Sequence, residues 1–144
     1  MKLDCVYFIV KNMQKSIAFY EALLEQKISS ENINRWGQFN LKIGTTIALY
    51  NPEFDFNALE EKEKLNEHYN QEYIEFIKNN KTKYGSNSVL NFSTDNLKSE
   101  YERIKKLDIG KVTEIMYVNI VVPYYFFMVE DPDGNLIEIT GELY

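Results

Sequence analysis

The sequence predicts an α+β fold built from two βαβββ units with a helical insertion between them. Three observations carry the prediction. Val6, Phe8, Asn12, Met13, Ile17, Tyr20 and Leu23 return as Leu90, Phe92, Asn96, Leu97, Tyr101, Ile104 and Leu107, each 84 positions later. Gly44, Ile47 and Leu49 return as Gly134, Ile137 and Ile139 at a spacing of 90, which pairs Ala48 with Glu138. Agreement in order, length and residue type points to duplication of one supersecondary unit. The third observation is the run Asp131-Pro132-Asp133-Gly134-Asn135 between two segments of β-branched and aromatic residues. Pro presets φ for a turn, and Gly and Asn accept φ above zero, so the run reads as a β-hairpin.

Taken in order, residues 2–10 read as a strand, broken at Lys11-Asn12. Met13, Ile17, Tyr20 and Leu24 then recur at helical spacing and mark one face of an α-helix. Strands follow at 27–33, 35–43 and 46–50, with Gly44-Thr45 as a turn. From Pro52 the composition shifts to Glu, Lys and Asn, with periodic apolar positions at Phe56, Leu59, Leu65, Tyr69, Tyr73, Ile74 and Ile77. That periodicity argues for one or two amphipathic helices rather than disorder. Gly85-Ser86-Asn87 closes the segment. The second unit repeats strand and helix, then gives strands at 111–118, 121–129 and 135–140. The chain thus divides into a first unit at 1–51, an insertion at 52–85 and a second unit at 86–144 of one domain.

A 144-residue chain with nine Phe and 11 Tyr can bury a sizeable core. Sixteen basic against 22 acidic side chains, with no basic cluster, exclude a nucleic-acid partner, whose affinity rests on Lys and Arg meeting phosphates. No apolar run is long enough to span a bilayer, and Asp4 and Lys11 interrupt what would be a signal peptide. The single Cys can form no internal disulfide, which suits the cytoplasm. The expectation is a cytoplasmic protein without a membrane partner.

Within the hairpin, strand alternation puts Leu136, Glu138 and Thr140 on one side and Ile137 and Ile139 on the other. Glu138 is a carboxylate among apolar neighbours, and such a group needs a partner. Asp131 and Asp133 belong to the turn and are expected to bond its backbone amides. His68, the only His, lies in the charged insertion and reads as solvated. No Ser-His-Asp set, phosphate loop or Cys-x-x-Cys pair occurs.

Two βαβββ units ending in Asp131-Pro-Asp-Gly-Asn-Leu-Ile-Glu-Ile139, with Ser16-Ile-Ala-Phe-Tyr20 in the first helix, resemble the vicinal oxygen chelate superfamily of glyoxalases, bleomycin resistance proteins and extradiol dioxygenases. The resemblance covers all but the insertion. It implies a curved mixed sheet around a small-molecule pocket, helices on the outer face, and a homodimer. In metal-dependent members the ion is held from the first and last strands of each unit, positions that here are Cys5, Ala48, Val89 and Glu138. Only Glu138 keeps a usual ligand type. Ala48 and Val89 offer no donor atom, and Cys5 would suit only a soft ion. The expectation is therefore no cofactor, a divalent metal on Glu138 and Cys5 being the alternative.

The same resemblance, with strand alternation, puts Cys5, Tyr7, Ile9, Val89, Asn91 and Ser93 toward the pocket. Trp36, Gln38 and Tyr50 join them from the first unit, and Tyr124, Phe126 and Met128 from the hairpin. The opposite face of that strand, Tyr125, Phe127 and Val129, is equally apolar, so alternation alone does not choose between the two. Relatives that modify fosfomycin hold its phosphonate with basic side chains, whereas the matching strand here, 118–128, has no Lys or Arg.

An aromatic lining with few polar groups suits a flat or apolar small molecule. Three roles stay open for Glu138: a former ligand now bonded to a Tyr or Asn, a group that meets a cationic or donor ligand, or a metal ligand. Two functions stay open with them. One is a metal-independent binding protein of the bleomycin resistance type. The other is a lyase, isomerase or dioxygenase with an atypical site, in which Glu138 is the catalytic residue.

Overall fold

The computed structural model describes residues 4–42, 44–60, 68–85, 88–119 and 123–144. The expected element positions at 2–3, Ile43, Leu65, Ser86, Asn87, Val121 and Val122 lie outside them. The elements run β1 (Val6–Ile9), α1 (Met13–Leu24), β2 (Ser30–Asn32), β3 (Trp36–Asn40), β4 (Thr46–Tyr50), α2 (Pro52–Glu60) and α3 (Gln71–Asn79). The second half adds β5 (Val89–Thr94), α4 (Leu97–Leu107), β6 (Lys111–Val112), β7 (Met116–Asn119), β8 (Pro123–Glu130) and β9 (Leu136–Gly141). This is the α+β class expected, with two open mixed sheets. Contacts divide the chain into two compact units, one of residues 1–14 and 28–84, the other of 15–27 and 85–144.

In the first unit the sheet order is β1-β4-β3-β2, with β1 parallel to β4 and the remaining pairs antiparallel. Register sets its two faces. Tyr7 and Gln38 flank Ala48, and Ile9 and Trp36 flank Tyr50, so these six share one face. Phe8, Phe39, Ile47 and Leu49 point the other way and are buried core. Among the described residues the insertion forms two helices. α3 is capped by the Asn70 side chain, which accepts from the Tyr73 amide, and it buries Ile74 and Ile77.

The second unit orders its strands β5-β9-β8-β6, with β5 parallel to β9. Leu90 pairs with Ile137 as Val6 pairs with Ile47, so the repeat seen in the residue types is also a repeat of register. Its core is Phe127, Val129, Ile137 and Ile139, against which α4 sets Leu97 and Ile104. Tyr101 stacks edge-on to Phe127 with centroids 5.3 Å apart.

One expectation needs correction. The strand expected at 111–118 is two strands, β6 and β7, on the same edge of β8. Val112 pairs with Val129 and Met116 with Phe126, so residues 113–115 face only 127 and 128. This is a β-bulge, and Thr113 supports it: its amide donates to the Met128 carbonyl and its Oγ1 accepts from the Met128 amide, both at 3.0 Å.

The hairpin turn is held by Asp131, which is 3% exposed. Its Oδ1 accepts from the amides of Asp133 and Asn135 at 2.9 and 2.8 Å, and its Oδ2 from Asn135 Nδ2 at 2.8 Å. Gly134 takes φ +86°, the left-handed conformation that favours glycine. Within the same unit Tyr20 and Ser16, one helical turn apart on α1, donate to Asp131 Oδ2 at 2.9 Å and Asp133 Oδ2 at 3.3 Å. Burial, then the Asp131 carboxylate, pushes the Tyr20 hydroxyl far above its usual range. α1 has no basic residue in its last turn, and Arg103 of α4 serves instead, donating to the carbonyls of Ala22 and Leu23 at 2.9 and 2.7 Å.

Candidate functional site

The first unit holds a cavity of about 500 Å³. Its floor is the sheet face carrying Tyr7, Ile9, Trp36 and Tyr50. Its walls come from the insertion: Pro52 and Phe56 of α2, Tyr73, Phe76 and Ile77 of α3, and the following segment 80–83. Tyr7 packs on Trp36 at 5.3 Å and edge-on to Tyr50 at 6.2 Å. These contacts give the floor a fixed aromatic surface.

A buried carboxylate fastens the insertion to the sheet. Asp55 of α2 is fully buried. Arg35, just before β3, grips it side-on, Nε to Oδ1 at 2.8 Å and Nη2 to Oδ2 at 2.9 Å. Three hydroxyls complete its shell: Tyr69 donates to Oδ1 at 2.7 Å, and Tyr50 and Tyr73 to Oδ2 at 2.6 and 2.9 Å. A carboxylate has about four lone-pair sites, so these donors saturate it. Burial alone would raise the Asp55 carboxyl, but the hydrogen bonds from Arg35 and the tyrosines outweigh it and hold the group at about 2. Burial, helped by Asp55, pushes Tyr69 up to about 12 and Tyr50 higher still, while the Asp55 hydrogen bond raises Arg35. Asp55 therefore stays ionised and has no capacity left for chemistry. It is a structural clamp, and it keeps three tyrosines and Arg35 in fixed positions.

Of the residues singled out from sequence, Tyr7, Trp36 and Tyr50 meet in this cavity, together with Ile9. Gln38 lies on the same sheet face but does not line it, and its amide bonds Trp36 Nε1 at 3.4 Å and Asn40 Oδ1 at 2.7 Å. Cys5 is a half-buried free thiol. In the second unit Asn91 and Glu138 are directly opposed, and Asn91 Nδ2 donates to Glu138 Oε1 at 2.6 Å. Met128 pairs with Glu138 and Phe126 with Thr140 on the face away from the buried Phe127 and Val129. Tyr124 borders a separate hollow of that unit, bounded by the chain's last residues, where Tyr144 is 88% exposed and encloses nothing. His68 is exposed beside Tyr69.

Arg35, Asp55, Tyr69 and Tyr73 were not legible as site residues. An Asp in the first turn of a helix reads as a solvated group favoured by the helix dipole. The one signal was local: Asp55 lies between Phe54 and Phe56, and Tyr69 and Tyr73 stand four positions apart.

The positions implied for a metal do not fit one. The side chains of Ala48 and Val89 carry no lone pair, and Glu138 already accepts a short bond from Asn91. Among the described residues no three His, Cys, Asp or Glu side chains gather as a metal would need. Among them, too, no helix is long and apolar enough to cross a membrane.

Solved structures share this architecture along nearly the whole chain. A glyoxalase-related enzyme from Fulvimarina pelagi is 14% identical, with 99% of this chain and 88% of that chain covered and a TM-score of 0.66. Lactoylglutathione lyase from Agrobacterium tumefaciens is 14% identical over 99% and 94%, with a TM-score of 0.62. A virulence protein from Salmonella typhimurium is 18% identical over 98% and 96%, also with a TM-score of 0.62. At these identities the likeness is one of fold. No curated protein matches the sequence. A family model, however, matches residues 2–139, and with the duplicated βαβββ order and the repeated strand register it places the chain in the Glyoxalase/Bleomycin resistance protein/Dioxygenase superfamily.

Proposed function

We propose that this protein binds a flat, largely apolar small molecule in the cavity of its first unit, without a metal. The observation that carries the reading is the cavity itself: an aromatic floor on the sheet and apolar walls from two helices. Its volume falls in the range of sites for small ligands. The Asp55 clamp supports the same reading, because a lining held in place before the ligand arrives lowers the ordering cost of binding.

Among the described residues that line the cavity there is no carboxylate, imidazole or thiol for general acid–base work. Asp55 is saturated, and the hydroxyls of Tyr50 and Tyr73 are spent on it. Binding without turnover is therefore favoured over catalysis. A homodimer in the cytoplasm is carried over from the family and from the composition, and sedimentation would check the dimer.

Calorimetry with 1-naphthylmethanol, a neutral flat probe, tests the reading. We expect one site per chain, the same affinity with and without EDTA, and weaker binding in Phe56→Ser. Affinity that disappears with EDTA, or a product formed from the probe, would overturn it.

A further inference from the structure

We infer that the ligand of this cavity is an anion, a flat aromatic acid whose acidic group meets Arg35 and the lysines of segment 80–83. The inference rests on the cavity being the binding site and concerns the chemistry of what it takes.

The first observation is the sign of the lining. The chain carries 22 acidic and 16 basic side chains, yet the ionised side chains lining the cavity among the described residues are Arg35, Lys81 and Lys83, with no carboxylate. Asp55 lies behind this surface, fully buried and fully bonded. Its charge is balanced by Arg35, which leaves the lysines as the net charge of the lining. Neither Lys81 nor Lys83 makes an ion pair among the described residues. Cations along an apolar cleft focus their field on the ligand within it.

The second observation is the direction of the hydrogen bonds. A guanidinium has five N–H groups. Arg35 commits Nε to Asp55 and Nη2 to Asp55 and Tyr73, whereas Nη1 has no partner among the described residues. Arg35 lines the cavity with its side chain 35% exposed, and its plane is fixed by the grip on Asp55 and by the Tyr50 ring 5.3 Å away. Two N–H donors on a fixed cation therefore remain for a ligand. Tyr50 and Tyr73 give their protons to Asp55, which leaves their oxygens as acceptors, and that of Tyr73 already accepts from Arg35 Nη2 at 3.5 Å. The cavity offers donors and positive charge, and an acceptor that is also an anion answers both.

Three probes that share one ring system and differ in charge test this: 1-naphthoate, 1-naphthylmethanol and 1-naphthylmethylamine. Calorimetry gives the affinities. The indole N–H resonance of Trp36, the chain's only Trp and part of the cavity floor, reports where they bind. We expect the acid to bind about tenfold or more tighter than the alcohol at low salt, the amine to bind weakest, and the advantage of the acid to shrink as salt screens it. Lys81→Gln with Lys83→Gln, changes at two exposed positions, should cut the affinity for the acid by about three- to tenfold and affect the alcohol less.

Equal binding of acid and alcohol, with Trp36 shifted by both, would overturn the anion and leave the cavity standing as the site. An advantage for the acid that survives both salt and the lysine changes would overturn the charge argument. Failure of all three probes to bind would overturn both the site and the inference.

Discussion

Arg35 and Asp55 are joined side-on by two hydrogen bonds of 2.8 and 2.9 Å, 20 residues apart in sequence. This pair ties the helical insertion to the sheet it covers. Removing Arg35 would leave a buried carboxylate without its counter-charge, so Arg35→Leu should destabilise the first unit by about 3 kcal/mol, the low end for broken buried pairs because the guanidinium is partly exposed. Urea unfolding measures the loss. Hydrogen exchange should show α2 and α3 opening before the strands of the same sheet.

The clamp also has an acid limit. Asp55 is held at about 2 when folded, below its value in an unfolded chain. A depressed carboxylate stabilises the fold above its unfolded pKa, and that contribution is lost as pH falls. The loss should run from about pH 4 down to about pH 2. Tyr69, pushed up to about 12, has the opposite sign: its contribution is complete below about pH 10 and disappears as pH rises toward its folded value. Urea midpoints measured against pH should show both slopes, with the acid one reduced in Asp55→Asn.

Tyr20 and Asp131 form the corresponding anchor of the second unit, where the α1 hydroxyl meets the hairpin turn at 2.9 Å. Tyr20→Phe removes one bond and leaves the three internal bonds of Asp131 in place, so a loss of about 1 kcal/mol is expected. Asp131→Ala strips the turn of all of them and should cost more than twice as much. Unfolding of the two variants side by side tests that order.

Gly110 is expected to tolerate no side chain. A Cβ there would overlap the Glu130 carbonyl oxygen and press on the Phe19 ring at 3.0 Å. Gly110→Ala should therefore push the β6 edge away from β8, with a loss of about 2 kcal/mol or more. Circular dichroism and thermal unfolding would record it.

Glu138→Gln checks the residue that the sequence brought forward. The amide keeps an oxygen to accept from Asn91, so fold and naphthylmethanol affinity should stay within error of the parent protein. Loss of ligand affinity in this variant would return Glu138 to the centre of the function.

The sequence by itself determined the parts of this protein that depend on short range. The hairpin was legible because Pro132, Gly134 and Asn135 carry turn chemistry, and α1 because Met13, Ile17 and Tyr20 recur at helical spacing. The repeats of 84 and 90 positions marked two equivalent units, and the structure repeats their register, since Val6 with Ile47 and Leu90 with Ile137 are equivalent pairs. Strand alternation taken with the family resemblance grouped Tyr7, Trp36 and Tyr50, and these three lie on the cavity floor. The split of the 111–118 strand was not legible, because a bulge depends on what the partner strand offers.

Which carboxylate is buried, and what the insertion packs against, depend on contacts between distant segments. Glu138 drew notice among apolar neighbours, yet it sits half-buried on a sheet with Asn91 beside it. Asp55 was not singled out, yet it is fully buried in the first unit. A charge is buried by its partners, and those of Asp55 come from position 35, from position 50 and from the pair 69 and 73, three segments that no single periodicity connects. The same folding places Arg35, Lys81 and Lys83 around one cavity, a gathering of charge that exists only once the insertion has closed on the sheet.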